Sequence, residues 1–300
     1  MLPFKLVYSD EYDLNLGAHV FQAEKFRLIH DRLLRERFAE PSDFATPQPA
    51  SDEDLHLVHT PEWVSKLRQG TLTYHEIMKL EIPYSRKMVN AMCLMTGGTI
   101  LAARNAVRDG FGFNIGGGFH HGFADHGEGF CALNDVAVAI RRIQSDGLVE
   151  RVMVVDTDVH QGNGTASIFE GDPDVFTLSL HAEHNYPFHK ERSSRDVGLP
   201  DRCEDATYLA ELATALEEVT AFRPDVVFYQ AGVDTLRGDR LGRMALTHEG
   251  LARRDAMVFA MVQRLGVPIV VTLGGGYGRD IEESVRAHSG VYLRLVQAFA

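Results

Sequence analysis

Six apolar runs constrain the fold most, because each is strand-length and they consist largely of Val, Ile, Leu and Phe. The runs are Lys5–Tyr8, Gly112–Ile115, Arg151–Val155, Val175–Leu180, Asp225–Tyr229 and Val267–Leu273. Such runs favour strands that are covered on both faces, as in a parallel sheet. Longer segments with helical spacing lie between them: Arg86–Val107, Ala132–Gln144, Asp205–Ala221 and Thr247–Leu265. This alternation predicts a doubly wound α/β fold with a mainly parallel sheet and helices on both faces.

The chain is expected to form a single domain over residues 1–300. Its 300 residues, 45% of them hydrophobic, are enough for one large core. No Pro-, Gly- or Ser-rich linker, charge run or repeat divides it. The Pro-rich polar stretch from Glu40 to Asp54 is short, and we interpret it as a surface loop within that domain.

Charge and cysteine content exclude several function classes. The net charge of -12 disfavours direct nucleic-acid binding, which needs clustered basic residues, and favours basic partners such as lysine-rich peptides or polyamines. Cys93, Cys131 and Cys203 are widely separated, which indicates neither a disulfide framework nor a cysteine zinc site. No apolar run is long enough to insert in a membrane, and no signal peptide is evident, so we expect a cytoplasmic protein. The sequence leaves the oligomeric state open.

Polar motifs follow the apolar runs at the point where each run ends. GGGFHHG follows Ile115, DTDVHQGNG follows Val155, QAGVD follows Tyr229 and GGGYG follows Leu273. Parallel α/β sheets bind ligands outside the carboxyl ends of their strands. One edge of the sheet is therefore expected to collect His120, His121, Asp156, Asp158, His160, Asp234 and Tyr277.

Asp158, His160 and Asp234 are the predicted metal ligands. Two carboxylates and one imidazole leave a coordination position open for water, as a catalytic zinc requires. The same ligands suit Fe(II), Mn(II) or Co(II), so they do not fix the metal. The alternative is that the D-x-H pair only satisfies backbone groups at a strand end. A second metal is disfavoured, because Gln161–Gly164 supply no further carboxylates.

The adjacent His120 and His121 are candidates for proton transfer near neutral pH. Gly116–Gly118 precede them and permit a turn that lets both imidazoles line one pocket. Asp156 is placed to orient one imidazole, and Asn163 to orient the other with lower basicity, since an amide is neutral. A purely structural role is the alternative for each of them.

Tyr277, in LGGGYG, is a candidate hydrogen-bond donor to an oxyanion. Packing of its ring in a glycine-rich turn is the alternative. A nucleotide site is not indicated, because the glycine runs match neither G-x-G-x-x-G nor G-x-x-x-x-G-K-[ST]. The serine-hydrolase motif G-x-S-x-G is absent from the sequence as well.

These motifs, in this order, resemble the histone deacetylase superfamily: GGGFHHG, GFCALNDVAVAI, VDTDVHQGNGTASIF, YQAGVD and LGGGYG. The superfamily includes acetylpolyamine amidohydrolases and acetoin-utilisation proteins, and the resemblance covers nearly the whole chain. It implies an arginase–deacetylase fold. The chain looks most similar to class IV deacetylases through HVFQAEKFRLIHDRLL, LVHTPEW, TGGTILAAR, GDRLG and Asn163.

The resemblance implies a zinc-dependent amidohydrolase that removes acyl groups from lysine side chains. It implies three zinc ligands: Asp158, His160 and Asp234. His121 would then be the general base, His120 with Asp156 an electrostatic pair, and Tyr277 the group that polarises the acyl carbonyl.

Further expectations concern the substrate and a second cation. The resemblance implies that Gly129 and Phe130 line an acyl-lysine tunnel, with Phe188 on the opposite wall. It also implies a potassium site formed by Asp156, Asp158, His160, Ser179 and Leu180. Class IV relatives favour long fatty-acyl groups over acetyl. The alternatives are a deacylase of acetylated polyamines or other small amines, and a catalytically silent acyl-lysine-binding module.

Overall fold

A computed structural model of the chain describes residues 4–299, so residues 1–3 and 300 of the expected domain lie outside it. Within this range eight strands form one sheet in which every neighbouring pair is parallel. The strands are β1 (Leu6–Val7), β2 (Phe44–Ala45), β3 (Phe111–Asn114), β4 (Val152–Asp156), β5 (Val175–Ala182), β6 (Arg195–Leu199), β7 (Val226–Gln230) and β8 (Ile269–Thr272). Their order is β2-β1-β3-β8-β7-β4-β5-β6. The predicted α/β class is confirmed, and the sheet is parallel throughout.

Ten α-helices flank the sheet within residues 4–299. They are α1 (Lys25–Arg35), α2 (Asp52–Leu55), α3 (Pro61–Gln69), α4 (Tyr74–Leu80), α5 (Arg86–Asp109), α6 (Asp135–Ser145), α7 (Asn163–Phe169), α8 (Asp205–Val219), α9 (His248–Leu265) and α10 (Ile281–Phe299). Single 3₁₀ turns occur at Asp10–Tyr12, Pro41–Asp43 and Thr220–Phe222. The four predicted helices correspond to α5, α6, α8 and α9. None of the helices has the length and apolar character that spanning a lipid bilayer requires, among the residues that the structure describes.

The segment from Glu40 to Asp54 is not the irregular loop that its composition indicates. It contains a 3₁₀ turn, the edge strand β2 and the first residues of α2. The prediction failed because a two-residue strand carries no periodic pattern. Strand β6 was missed as well, since its sequence RDVGL mixes polar and apolar residues at the other edge of the sheet.

Local signals explain where the long helix α5 begins and ends. The Ser85 side chain caps its first turn by accepting a hydrogen bond from the Met88 backbone N–H at 3.0 Å. Gly110 ends the helix in the left-handed conformation, with φ of 93°. Burial then stabilises the packed elements, since each fully buried Val or Leu side chain contributes roughly 1.5–3 kcal/mol.

The strand order explains why the polar motifs meet. Strands β3, β8, β7 and β4 are consecutive in the sheet, so the loops after them share one edge. The direction of chain progression reverses at β4, whose neighbours are β5 and β7. Ligand sites of open α/β sheets form at such reversals.

Candidate active site

Three buried side chains from two neighbouring loops converge at the carboxyl edge of the sheet. Asp158 and His160 follow β4, and Asp234 follows β7. Nδ1 of His160 lies 3.0 Å from Oδ1 of Asp158 and 3.1 Å from Oδ2 of Asp234. Over residues 4–299, no other group of three His, Cys, Asp or Glu side chains brings its ligand atoms within 4.8 Å of one another.

The donor set fits a cation. Oδ2 of Asp234 is buried, and its contact with Nδ1 of His160 lacks the geometry of a hydrogen bond. Burial, together with the charge of Asp158, raises the pKa of Asp234 to about 7. Burial lowers the pKa of His160, but the two carboxylates outweigh it and raise that pKa to about 10. Even a protonated His160 would balance only one of two carboxylates, so a bound divalent cation would relieve the remaining negative charge.

Gly275, in the loop after β8, leaves room above the two carboxylates. Its backbone N–H donates to Oδ2 of Asp158 at 2.7 Å. A Cβ atom at this position would lie 2.7 Å from the same oxygen and closer still to Oδ2 of Asp234. A side chain here would therefore displace one or both predicted ligands.

The adjacent histidines have different partners. Nδ1 of His120 donates to Oδ2 of Asp156 over 2.7 Å, and Nδ1 of His121 lies 2.6 Å from Oδ1 of Asn163. The two ring centroids are 4.1 Å apart. The two imidazoles are therefore in contact inside the protein, where both are buried.

The two imidazoles differ in pKa because their surroundings differ. Burial lowers the pKa of His120, but the charges of Asp156 and Asp158 outweigh it and raise that pKa to about 9. Burial and the charges of His120 and His160 hold the pKa of His121 well below its ordinary value. Near neutral pH, one histidine is therefore charged and its neighbour neutral.

Tyr277 closes the other side of the site. Its ring centroid lies 6.4 Å from that of His160 and 6.0 Å from that of Phe130. Its backbone N–H donates to Oδ2 of Asp239 at 2.6 Å, which fixes the loop after β8. Burial and the charge of Asp158 raise the pKa of Tyr277 well above its ordinary value, so the phenol remains a hydrogen-bond donor.

A cavity of about 160 Å³ leads from the surface to these groups. It is lined by Glu81, His121, Gly129, Phe130, His160, Asn185, Tyr186, Leu241 and Tyr277. Phe130 has φ of 71°, an uncommon value for a bulky residue, and its N–H donates to the Leu80 carbonyl at 2.9 Å. Gly129 and Phe130 thus lie on the cavity wall, and their role in lining an acyl-lysine tunnel stays a prediction.

Phe188 does not form the opposite wall. Its side chain is 86% exposed and borders a separate surface cavity. Tyr186 is the aromatic residue opposite, with its ring centroid 5.1 Å from that of His121. The prediction failed because the segment LHAEHNYPFH matches the family pattern only loosely. A shift of two residues in that match replaces Tyr186 with Phe188.

The sequence model of the histone deacetylase domain matches residues 19–291 of this chain. The chain belongs to the histone deacetylase family. It is therefore a hydrolase that acts on amides, consistent with the enzyme predicted from its motifs.

The relatives of this deacetylase come from several kingdoms. It is 44% identical to an uncharacterized protein of Picosynechococcus, over 95% of this chain and 96% of that protein. It is 32% identical to histone deacetylase 2 of Arabidopsis thaliana, over 91% and 74% of the two chains. It is also 32% identical to the acetoin utilization protein AcuC of Bacillus subtilis, over 96% and 81%. These names do not support the class IV assignment, which stays a prediction.

Solved structures of this family share the fold. A histone deacetylase homolog complexed with SAHA superposes with a TM-score of 0.83 at 25% identity, covering 98% of this chain and 84% of that chain. A homolog from Aquifex aeolicus gives 0.81 at the same identity and coverage.

Sequence reasoning missed the fully buried lysine of this deacetylase. Lys25 is 0% exposed, and its Nζ donates to the carbonyls of Gly274 and Gly276 at 3.1 and 3.5 Å. The signal was available, because Lys25 occupies the first position of a buried stripe that continues with Ile29 and Leu33 at helical spacing.

Two residues of the expected potassium site lie on β5. Ser179 pairs in register with Asp156 of β4, and Oγ of Ser179 lies 3.0 Å from Nδ1 of His181. Leu180 follows it in the strand and is fully buried.

Proposed function

We propose that this deacetylase is a zinc enzyme that hydrolyses acylated lysine side chains of proteins or peptides. The observation that carries the proposal is the meeting, around one narrow cavity, of a buried Asp-His-Asp cluster, a neutral histidine and a protonated tyrosine. The zinc ligands in this proposal are Asp158, His160 and Asp234. When bound, the ion would polarise the acyl carbonyl and lower the pKa of water.

The protein's own groups then move the protons. Neutral His121 takes a proton from the attacking water and gives it to the leaving amine as the C–N bond breaks. The charged His120, paired with Asp156, stabilises developing negative charge and is not itself the base. The Tyr277 hydroxyl donates a hydrogen bond to the oxyanion that forms on the acyl carbonyl.

The acyl group is the finer part of the proposal. The likeness to class IV enzymes favours long fatty-acyl chains. The cavity of about 160 Å³ must also hold the lysine methylenes, and this favours acetyl. We propose acetyl-lysine as the main substrate, with the class IV-like preference for longer chains as the outcome that would revise it.

A second candidate is an acetylated polyamine or another small amine. The observation that favours it is the acidic residue Glu81, which lines this cavity. Burial raises the pKa of Glu81, and repulsion from the negative charge of Glu128 raises it further. A substrate ammonium group would reduce this repulsion.

Three further expectations belong to this proposal. A potassium ion would use Asp156, Asp158, His160, Ser179 and Leu180. The protein would act in the cytoplasm, where its three buried free cysteines stay reduced. Its acidic surface favours a basic partner and not nucleic acid.

The test is turnover of one lysine peptide carrying acetyl, octanoyl or myristoyl, with zinc and with a chelator, beside acetylspermidine. Chelator-sensitive cleavage of the acetyl peptide is expected. Faster cleavage of longer chains would support the fatty-deacylase alternative, and preference for acetylspermidine the polyamine alternative. Equal turnover with and without chelator would contradict the metal assignment.

A further inference from the structure

Asn163 lies between the neutral histidine and a carboxylate that the motifs did not single out. Its Oδ1 lies 2.6 Å from Nδ1 of His121, and its Nδ2 donates to Oε1 of Glu128 at 2.7 Å. Asn163 is 2% exposed, and the Glu128 side chain is 12% exposed. These contacts connect Glu128, near the surface, to His121, the proposed base.

The chemistry of Glu128 determines which way the amide of Asn163 points. An ionised carboxylate only accepts hydrogen bonds, so the group of Asn163 that faces it must be the NH₂ group. The amide oxygen must then face His121. Because that oxygen only accepts, Nδ1 of His121 carries the proton and Nε2 keeps its lone pair.

Glu128 is held in its ionised form. Nζ of Lys79 lies 2.8 Å from its Oε2. Burial raises the pKa of Glu128, but the nearby His126 and the hydrogen bonds from Lys79 and Asn163 outweigh it and hold that pKa well below its ordinary value. A protonated carboxyl could donate to the amide oxygen and reverse the amide, so ionisation is required.

We propose that Glu128 is a positioning residue, which fixes the tautomer of His121 through the amide of Asn163. A neutral amide next to His121 would not by itself select its own orientation. Glu128, which contacts Asn163, selects the orientation of the amide without placing a negative charge next to the imidazole of His121. This inference rests on the proposed role of His121 as the base.

The first test is spectroscopic and needs no turnover. In zinc-loaded protein with ¹⁵N-labelled histidine, His121 is expected to carry its proton on Nδ1, its signal identified by loss in His121→Ala. In Glu128→Gln the side-chain amide can donate or accept, so a substantial Nε2–H population should appear. Glu128 and Glu191 both line the surface cavity that Phe188 borders. The control Glu191→Gln removes a charge from this cavity without touching Asn163, and should leave the tautomer unchanged.

The second test is a double-variant cycle in kcat. Glu128→Gln should lower kcat by roughly 10- to 100-fold, as loss of a residue that orients a functional histidine does. In an Asn163→Asp background the same change should raise kcat, because it removes the repulsion between two neighbouring carboxylates and supplies an amide that can donate to the remaining one. A structural role for the ion pair with Lys79 would lower kcat in both backgrounds.

The two tests separate this inference from the proposed function. Complete retention of the Nδ1–H tautomer in Glu128→Gln overturns the positioning role, whatever the turnover. Loss of that tautomer with unchanged kcat would keep the positioning role and refute His121 as the base.

Discussion

Replacing Lys25 with methionine tests how a buried cation is tolerated behind the catalytic loop. Lys25→Met preserves much of the packing against Phe21 and Phe26, whose rings lie 5.1 and 5.6 Å from Nζ. It removes the charge and the donor to the carbonyls of Gly274 and Gly276.

The magnitude follows from the pKa of Lys25. Burial lowers it from 10.5 to about 8, although the charges of Asp234 and Asp158 oppose the change. This fall corresponds to about 3 kcal/mol. Between pH 8 and 10.5 the native state has released the proton while the unfolded state retains it. The unfolded state binds more protons there, so this group's contribution to stability rises with pH.

The assay is urea unfolding of wild type and Lys25→Met at several pH values, with a chelator so that both proteins are compared without bound metal. The difference in unfolding free energy, wild type minus variant, should be flat from about pH 6.5 to 7.5. It should then rise by about 2 kcal/mol from about pH 8 to 9.5. Taking this difference cancels the tyrosines, which titrate in both proteins. A difference that stays constant up to about pH 9.5 would refute the reasoning.

Three further predictions concern the phenol, a ligand loop and a buried histidine. Tyr277→Phe should keep its metal by elemental analysis yet lose about 100-fold in kcat, and unchanged kcat would contradict its role as oxyanion donor. Gly275→Ala should weaken zinc binding in competition with a chelator, because its Cβ would press on Asp158 and Asp234. Gly290→Ala, whose Cβ would meet the Arg294 guanidinium and neither predicted ligand, is the matched control, and equal zinc affinity in both variants would refute this. Burial lowers the pKa of His59 from 6.5 to about 4, so the unfolded state binds its proton first and acid should cost about 3 kcal/mol from pH 6.5 to 4. In urea unfolding, the acid loss in wild type should exceed that in His59→Gln by about this amount, and an equal loss in both would contradict the prediction.

The sequence predicted most of the fold because its central strands are uniformly apolar. Strands such as β4 and β8 are buried on both faces, and this burial requires the Val-rich runs that identify them. The edge strands β2 and β6 bury less of their surface, so packing places fewer demands on their residues. Their pairing depends on neighbours that are distant in the chain, and a local pattern cannot reveal such neighbours.

The sequence pointed to several residues of the candidate site but not to all of their contacts. Residues placed by strand ends, such as Asp158 and Tyr277, could be found because a strand end fixes where they lie. Tyr186 and Glu128 lie in irregular segments, where one or two residues of displacement bring a different side chain to the cavity. The burial of Lys25 depends on helix α1 packing behind the loop after β8, a contact between residues far apart in sequence.

The segment that follows β4 determines the different roles of His120 and His121. Asp156 ends the strand and Asn163 begins α7, and each faces one imidazole. Between them lie the two metal-ligand candidates Asp158 and His160. One short stretch of chain thus provides two ligands of the cluster and both imidazole partners. A displacement of this segment would alter metal affinity and histidine protonation together, so the two properties should change in parallel in variants that loosen it. Asp158 and His160 could be predicted from the sequence because they follow the end of a strand. The roles of His120 and His121 become distinct only when their partners in this segment are known.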